Sequence, residues 1–161
     1  MSLDGEIELG WWGPETAPAP ASIVWCAFPE HTDLGKPGPK PRPALVFAVR
    51  YAQEPPDNRL MVQVAYGTSN LKSATRPWDF TIANYTTRMM LRLPQATRFD
   101  LDNVLWLPWA RPFFVARQDG RGATPVQSVL PKNVQIELAW LMKVRESMGK
   151  NAHFGRRGDG G

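Results

Sequence analysis

Two charged side chains in the second half of the chain have the types and the spacing of a proton-transfer pair. Arg98 and Asp100 lie two residues apart in a run where polar and apolar residues alternate. Residues spaced in this way point to the same face of a β-strand. Asp100 could then act as a base while Arg98 stabilises charge on a phosphoryl group, and Asp102 continues the same face as an alternative base. The competing interpretation is a salt bridge on a solvated face, which stabilises a fold very little.

Arg42 is a second candidate for chemistry because it lies between Pro41 and Pro43. A proline fixes its own φ and restricts the residue before it, so the Arg42 side chain is held in a narrow range of directions. A guanidinium is permanently charged and can bind phosphate oxygens in a bidentate manner. The alternative is a surface arginine at a strand end, paired with a carboxylate.

Hydroxyl, basic and aromatic residues supply further candidates for contact with a phosphate or a nucleic acid. Thr68 and Ser69 follow an apolar run and Gly67, and their hydroxyls could bind a phosphate oxygen. The alternative for them is an ordinary Ser/Thr turn. A basic groove with a stacking platform for single-stranded RNA is predicted from a wider set of residues. The set of predicted RNA contacts is His31, Lys40, Ser69, Lys72, Arg76 and Trp78.

Composition limits the classes of site that are compatible with the chain. The protein has 161 residues, a formal net charge of +4, one cysteine and two histidines. A single cysteine excludes an intramolecular disulfide framework and a zinc site made of cysteines, and two histidines argue against a histidine-built metal site. We therefore expect no metal and no cofactor. The modest positive charge is compatible with a nucleic-acid partner.

The compartment is predicted from what the sequence lacks. No apolar run approaches the roughly 20 residues that span a bilayer. The first residues are acidic and lead into no apolar core, which is unlike a signal peptide. We expect a cytoplasmic protein without a membrane partner.

The elements that must position these residues are mainly strands. Runs rich in β-branched, aromatic and other apolar residues predict strands at 22–28, 43–49, 60–66, 79–82, 98–106 and 113–116. Apolar residues recur at helical spacing after Pro131, from Val134 to Met148, and predict a C-terminal helix that ends at Gly149. The predicted fold is mostly β with α, a small antiparallel curled sheet or barrel with a C-terminal helix. The predicted organisation is an irregular Pro-rich arm at 1–21, one domain at 22–149 and a flexible tail at 150–161.

Six of the seven tryptophans fall into two predicted groups. Trp25 and Trp140 are expected in the core. The candidates for exposed contact are Trp11, Trp12, Trp78 and Trp109. Cys26, in the middle of the first strand, is expected to be a small buried hydrophobe.

Four features in order resemble the MazF/PemK family of toxin endoribonucleases. They are a first strand with Ile23-Val24-Trp25, a Gly-rich loop, re-entry at Arg42-Pro43-Ala44-Leu45-Val46, and a third strand that runs into Thr68-Ser69. Arg98-Phe99-Asp100 is similar to the Arg-x-Asp triplet of PemK-like members. The resemblance covers about residues 22–148. The arm, the tail and the segment 106–112 lie outside the family pattern.

The resemblance implies an activity and partners. It implies a small barrel of the SH3-like, MazF/PemK/CcdB type and a metal-independent endoribonuclease that cleaves single-stranded RNA by 2′-OH attack. In the family the residue that matches Arg42 is catalytic. The resemblance extends catalytic roles to Thr68, Arg98 and Asp100. Some members carry a histidine in a loop near the active site, and His31 could be the corresponding residue here. It also implies a homodimer and a neutralising antitoxin. The segment from Arg88 to Arg92 could serve as a dimer contact.

Two other hypotheses remain open at this stage. The same fold also serves toxins that bind gyrase, so the chain could be a non-catalytic protein-binding module, such as a phage or mobile-element accessory protein. Trp11, Trp12 and the segment 106–109 would then be contact surfaces. A third possibility is an unrelated small β-barrel, which would not bring Arg42 and Thr68 together.

Overall fold

The computed structural model of the chain describes residues 7–30, 32–52, 58–71, 78–117 and 123–149. The strands in chain order are β1 (Gly10–Trp11), β2 (Ser22–Cys26), β3 (Arg42–Tyr51), β4 (Leu60–Thr68), β5 (Phe80–Ile82), β6 (Thr97–Pro108), β7 (Ala110–Arg111) and β8 (Val126–Val129). The helices of the described part are α1 (Tyr85–Met90) and α2 (Lys132–Ser147). The predicted flexible tail, 150–161, lies outside the described residues.

Six of these strands form one curled antiparallel sheet. Its strand order is β5-β6-β4-β3-β2-β8, and it curves into a half-barrel. β1 and β7 make a separate two-stranded ladder. The mostly-β fold with a curled antiparallel sheet and a C-terminal helix is therefore confirmed. None of the described helices has the length and apolar composition needed to cross a membrane.

One predicted strand is wrong, and the strand that replaces it has a weaker sequence signal. Residues 113–116 form no strand; Phe114 makes a single bridge to Cys26. Phe113 and Phe114 are apolar because they are buried in the core, at 5% and 0% exposure. The strand beside β2 is instead β8, where Gln127 and Ser128 interrupt the apolar pattern that sequence analysis depends on.

The sheet separates two apolar clusters, one on each face. β3 contributes Val46 to one cluster and Leu45 to the other, as its continuous apolar run predicts. Leu138 of α2 packs in the second cluster. Cys26 lies in the first cluster with no exposed surface, and burial raises the pKa of its thiol. The thiol is the small buried hydrophobe that the sequence predicts.

The N-terminal arm docks on its own domain. Trp11 of β1 pairs with Ala110 of β7, and a 3-10 turn follows at Pro14–Thr16. The indole Nε1 of Trp12 donates to the carbonyl oxygen of Phe114 at 2.8 Å. The segment 106–112, which lies outside the family pattern, therefore has a structural role, because its residue Ala110 pairs with the arm.

The C-terminal helix begins after Pro131 and is followed by Gly149 in a left-handed conformation, with φ of 75°. Val134 and Leu138 are buried as predicted. The apolar stripe does not continue to its end, because Met148 is 53% exposed. Arg145 is buried near that end instead, and its ion pair with the sheet is described below.

The predicted division of the tryptophans is largely reversed. Trp109 is fully buried and Trp12 is 9% exposed, whereas Trp140 is 68% exposed. Trp25 is only half-buried. Trp109 is covered by the arm, where Thr16 accepts a hydrogen bond from its indole, and Trp12 is buried because the arm docks on the domain. Neither contact has a local sequence signal. Trp140 lies on the outward face of α2.

Candidate active site

The loop before β3 is held against the end of β2, and this contact places Arg42. The N–H of Gly38 donates to the carbonyl oxygen of Ala27 at 2.9 Å. A Cβ at Gly38 would collide with the carbonyl oxygen of Phe28, so only glycine allows this approach. Arg42 then pairs with Cys26 as β3 begins. The loop therefore delivers Arg42 at a fixed position on the sheet.

Arg42 and Thr68 lie at adjoining ends of neighbouring strands. The pairing of β3 with β4 ends at Ala44 and Tyr66, and each of the two residues lies two positions beyond it. Between them, a Cβ at Gly67 would collide with the carbonyl oxygen of Pro43. The absence of a side chain at Gly67 therefore allows these two strand ends to approach each other closely.

A pocket of about 200 Å³ opens where these strand ends meet, and we call it the Arg42 pocket. Three of the predicted functional residues besides Arg42 line it. Its lining includes Lys40, Arg42, Thr68, Ser69, Trp25 and Gln127. The structure thus brings together four of the predicted site residues in one pocket. An unrelated barrel would have no reason to place Arg42 and Thr68 side by side.

A second pocket of about 340 Å³ adjoins the first, and we call it the Tyr66 pocket. Arg42 and Lys40 line both pockets. Phe28 and Tyr66 form an aromatic pair in the second pocket, with ring centroids 5.4 Å apart. The positively charged side chains of Lys40 and Arg42 therefore lie between two cavities, and aromatic residues line each of the cavities.

The charge on Arg42 is available to a ligand. Within the described ranges, no carboxylate forms a salt bridge with Arg42, although its side chain is half-buried. The alternative of a surface arginine paired with a carboxylate therefore has no support among these residues. A half-buried guanidinium interacts with an anion more strongly than one in bulk water, because the local dielectric constant is lower.

The Thr68 hydroxyl takes part in a local turn and keeps its hydrogen. Its Oγ1 accepts a hydrogen bond from the backbone N–H of Asn70 at 3.1 Å. This is the Ser/Thr turn that the sequence allows as an alternative. In the described part of the chain no acceptor receives the hydroxyl hydrogen, so Thr68 can still donate to a phosphate oxygen. Ser69 is exposed at the pocket rim.

Arg98 and Asp100 are buried beside the pockets and line neither of them. Arg98 stands opposite Thr68 in the pairing of β4 with β6, and Asp100 stands opposite Tyr66. The guanidinium of Arg98 forms an ion pair with Asp79 at 2.8 Å, with 8% and 0% of the two side chains exposed. The ion pair of Arg98 is therefore a buried one with Asp79. The competing interpretation predicted a salt bridge on a solvated face.

Asp102 belongs to the same network and connects it to α2. Its Oδ1 accepts a hydrogen bond from Arg145 at 2.5 Å, and Arg145 also donates to the carbonyl oxygen of Trp78 at 2.9 Å. Carboxylate oxygens of Asp79, Asp100 and Asp102 lie within 4.8 Å of one another. Arg98 and Arg145 supply positive charge beside these carboxylates, and the pairing of Asp102 with Arg145 attaches α2 to the sheet.

Of the remaining predicted contacts, the structure describes Trp78, which lines neither pocket. Trp78 is half-buried and lies beside Arg145, so its backbone serves the network just described. His31, Lys72 and Arg76 lie outside the described residues.

The structure adds site residues that sequence reasoning did not select. Arg117 and Gln127 line the Arg42 pocket, and Glu30 lines the Tyr66 pocket. Trp25, assigned to the core from sequence, lines the first pocket, and the guanidinium of Arg117 lies 5.3 Å from its ring centroid. The residues next to them in the chain do not single out Gln127 or Arg117, because both donate to the carbonyl oxygen of Arg92, which lies far away in the chain.

Comparison with known proteins assigns the chain to no family. No family model matches the chain, and no curated protein sequence matches it.

Proposed function

We propose that the protein is a MazF/PemK-like toxin that cleaves single-stranded RNA without a metal ion. The observation that carries the proposal is that Arg42 and Lys40 line two adjoining pockets with aromatic walls. Single-stranded RNA presents planar bases on either side of each phosphate, and bases stack on aromatic side chains. Two neighbouring bases fit the two pockets while the phosphate between them meets the two cations.

The residues around Arg42 can divide the reaction among them. The ribose 2′-oxygen attacks phosphorus, the bond to the 5′-oxygen breaks, and a cyclic phosphate and a 5′-hydroxyl result. Arg42 stabilises the negative charge on the phosphoryl oxygens, and the Thr68 hydroxyl donates a hydrogen bond to one of them. Glu30 lines the Tyr66 pocket and is the candidate to accept the 2′-OH proton, while Lys40 is the candidate to protonate the 5′-oxygen.

Arg98 and Asp100 support the site from beneath in this proposal. Arg98 lies opposite Thr68 in the pairing of β4 with β6. Its ion pair with Asp79 holds the Arg98 side chain in the interior. Asp100 is 6% exposed and accepts a hydrogen bond from the N–H of Asp102 at 3.0 Å. These contacts favour a positioning role over proton transfer with RNA.

The proposal extends to partners. A homodimer and a neutralising antitoxin accompany a toxin of this type, and the cytoplasm is where its RNA substrates are. Met89 and Met90 of α1 are 45% and 61% exposed, which supports this helix as a dimer contact. Leu91 takes no part in such a contact because it is 1% exposed.

The activity is tested with single-stranded RNA in the presence of a chelator. The expected result is internal cleavage that leaves a cyclic phosphate and a 5′-hydroxyl. An RNA with one 2′-deoxynucleotide at a mapped cleavage site controls for the attacking group, and it should resist cleavage at that linkage alone. Cleavage at the deoxy linkage, or no cleavage of any RNA, would contradict the proposal.

A non-catalytic protein-binding module is the second candidate function, and the surface of α2 favours it. Ile136 and Trp140, one helical turn apart, are 62% and 68% exposed. Trp12 and Trp109 do not support it, because both are buried. A stable complex with a cellular protein that Trp140→Ser abolishes and Arg42→Ala does not would favour this function.

A further inference from the structure

β5 lies at one edge of the six-stranded sheet and has a neighbouring strand on one side. It pairs with β6 there, and the described part of the chain supplies no strand on the other side. Alternate residues of an edge strand point their N–H and C=O groups away from the sheet. Within the described residues, no backbone hydrogen bond joins Phe80–Ile82 to any element but β6. The outer side of β5 therefore presents unpaired backbone donors and acceptors.

A groove of about 450 Å³ follows this edge, and we call it the β5 groove. Phe80–Ile82 and Ala83 form one side of it, and residues near the beginnings of α1 and α2 form the rest. These residues are Asn84, Thr87, Asn133, Val134 and Glu137. The structure describes β6 in full, and no residue of β6 lines the groove. We conclude that the groove is open along the outer side of β5.

The polar side chains of the β5 groove are available to a ligand. Thr81, Asn133 and Glu137 are exposed. Within the described ranges, their side chains make no hydrogen bond or ion pair. A ligand can therefore bind these groups without breaking contacts that hold the fold together.

Glu137 determines which charge the groove favours. It is the one charged residue among those that line the groove in the described part of the chain. A carboxylate forms its strongest hydrogen bonds with lysine and arginine side chains. The same carboxylate repels acidic side chains and the phosphates of a nucleic acid. The charge therefore points to a basic peptide as the occupant.

We propose that the β5 groove binds an extended, basic segment of a partner protein, which adds to the sheet as a strand beside β5. Main-chain hydrogen bonds to β5 hold such a segment, and its alternate side chains point to the same side. A lysine or arginine of the segment pairs with Glu137. The proposal does not depend on RNA cleavage, because the groove shares no lining residue with the Arg42 pocket or the Tyr66 pocket.

Selection from a library of random octapeptides tests the charge of the occupant, with the whole protein as bait. We expect the unaltered protein to enrich peptides with lysine or arginine at one position. Glu137→Lys should reverse that preference to aspartate or glutamate, a result that loss of folding cannot produce. Glu146→Lys is the matched control, because Glu146 is also exposed on α2 but does not line the groove, and it should keep the original preference.

Peptides with single N-methyl groups test the addition of a strand. Each N-methyl group removes one backbone donor from an enriched peptide. Because alternate residues of a strand face opposite neighbours, N-methylation at every second position should abolish binding and at the positions between should leave it nearly unchanged. Glu137→Gln should weaken binding about two- to fivefold, which corresponds to the loss of an exposed ion pair.

The outcomes are independent of the RNA site. Failure of the unaltered protein to enrich any peptide, or enrichment without a preference for basic residues, would overturn the proposal. A preference that survives in Glu137→Lys, or N-methyl effects without alternation, would overturn it as well. Arg42→Ala should bind the enriched peptides as the unaltered protein does, so the proposal stands or fails whether or not RNA is cleaved.

Discussion

Gly67 allows the ends of two strands to come close enough to form the Arg42 pocket. An added methyl group at Gly67 would collide with the Pro43 carbonyl oxygen and lie 2.9 Å from the Phe99 ring. We predict that Gly67→Ala lowers the free energy of unfolding by about 1–3 kcal/mol, as overpacking of a filled interior does. Urea denaturation of the two proteins measures this difference in the free energy of unfolding.

Gly10→Ala is the control for that substitution. The nearest atom to an added methyl there is the Cβ of Arg111 at 3.7 Å, an ordinary contact. Its stability should stay within about 1 kcal/mol of the unaltered protein. Equal losses for both variants would show that close approach at Gly67 is not the cause.

Burial of the ion pair between Arg98 and Asp79 makes it far more sensitive to substitution than an exposed pair. Arg98→Met leaves the Asp79 carboxylate buried without this partner, and we predict a loss of about 3–5 kcal/mol in the free energy of unfolding. The matched control is Lys36→Met, because Lys36 pairs with Asp33 at 3.6 Å with both side chains more than half exposed. Denaturant titration should detect almost no change there, and a similarly small change for Arg98→Met would contradict the structural role of the network.

At the scale of elements, the arm is held by one indole in particular. Trp12→Phe keeps an aromatic ring but removes the donor to the Phe114 carbonyl oxygen, leaving that oxygen buried without it. We predict a loss of about 1–3 kcal/mol. Trp11→Phe is the control, since no hydrogen bond of the Trp11 indole is observed within the described residues. A urea melt should show a clearly smaller decrease in the free energy of unfolding for Trp11→Phe than for Trp12→Phe. Equal effects would mean that the hydrogen bond of Trp12 does not anchor the arm.

The elements that sequence analysis predicts well are those with local signals. β3 is predicted because Ala44 to Val49 is a continuous apolar run, and α2 because Pro131 precedes residues at helical spacing. β8 and α1 have shorter and more polar patterns, so their existence depends on contacts with distant residues. Trp109 is buried by the arm, which no pattern near residue 109 can reveal.

The site divides in the same way. Arg42 and Thr68 are recognisable from sequence because each lies at the end of a predictable strand and matches a family motif. Gln127 and Arg117 are not recognisable, because both depend on the Arg92 carbonyl, far away in sequence. The partnership of Arg98 with Asp79 could not be predicted either, since spacing along β6 points to Asp100 instead.

At the scale of the whole molecule, the net charge of +4 permits binding to RNA without specifying where the RNA lies. If Lys40 and Arg42 supply the phosphate contacts, the logarithm of the RNA association constant should fall with the logarithm of salt concentration with a slope of about −1.4, from about −0.7 for each contact. Lys40→Ala should halve the slope. The exposed Lys143 on α2 provides the control, and a shallower slope in Lys143→Ala would place RNA away from the pockets.

The cleavage rate of single-stranded RNA by Arg42→Ala tests the central claim most directly, with Arg50→Ala as its matched control. Both arginines lie on β3, but Arg50 is exposed at the other end, with its guanidinium 4.3 Å from the Trp106 ring centroid. Loss of charge stabilisation should lower the rate of Arg42→Ala by about 10²–10³ while Arg50→Ala cleaves normally. Undiminished cleavage by a folded Arg42→Ala protein, or an equal loss in both variants, would contradict the assignment of this site.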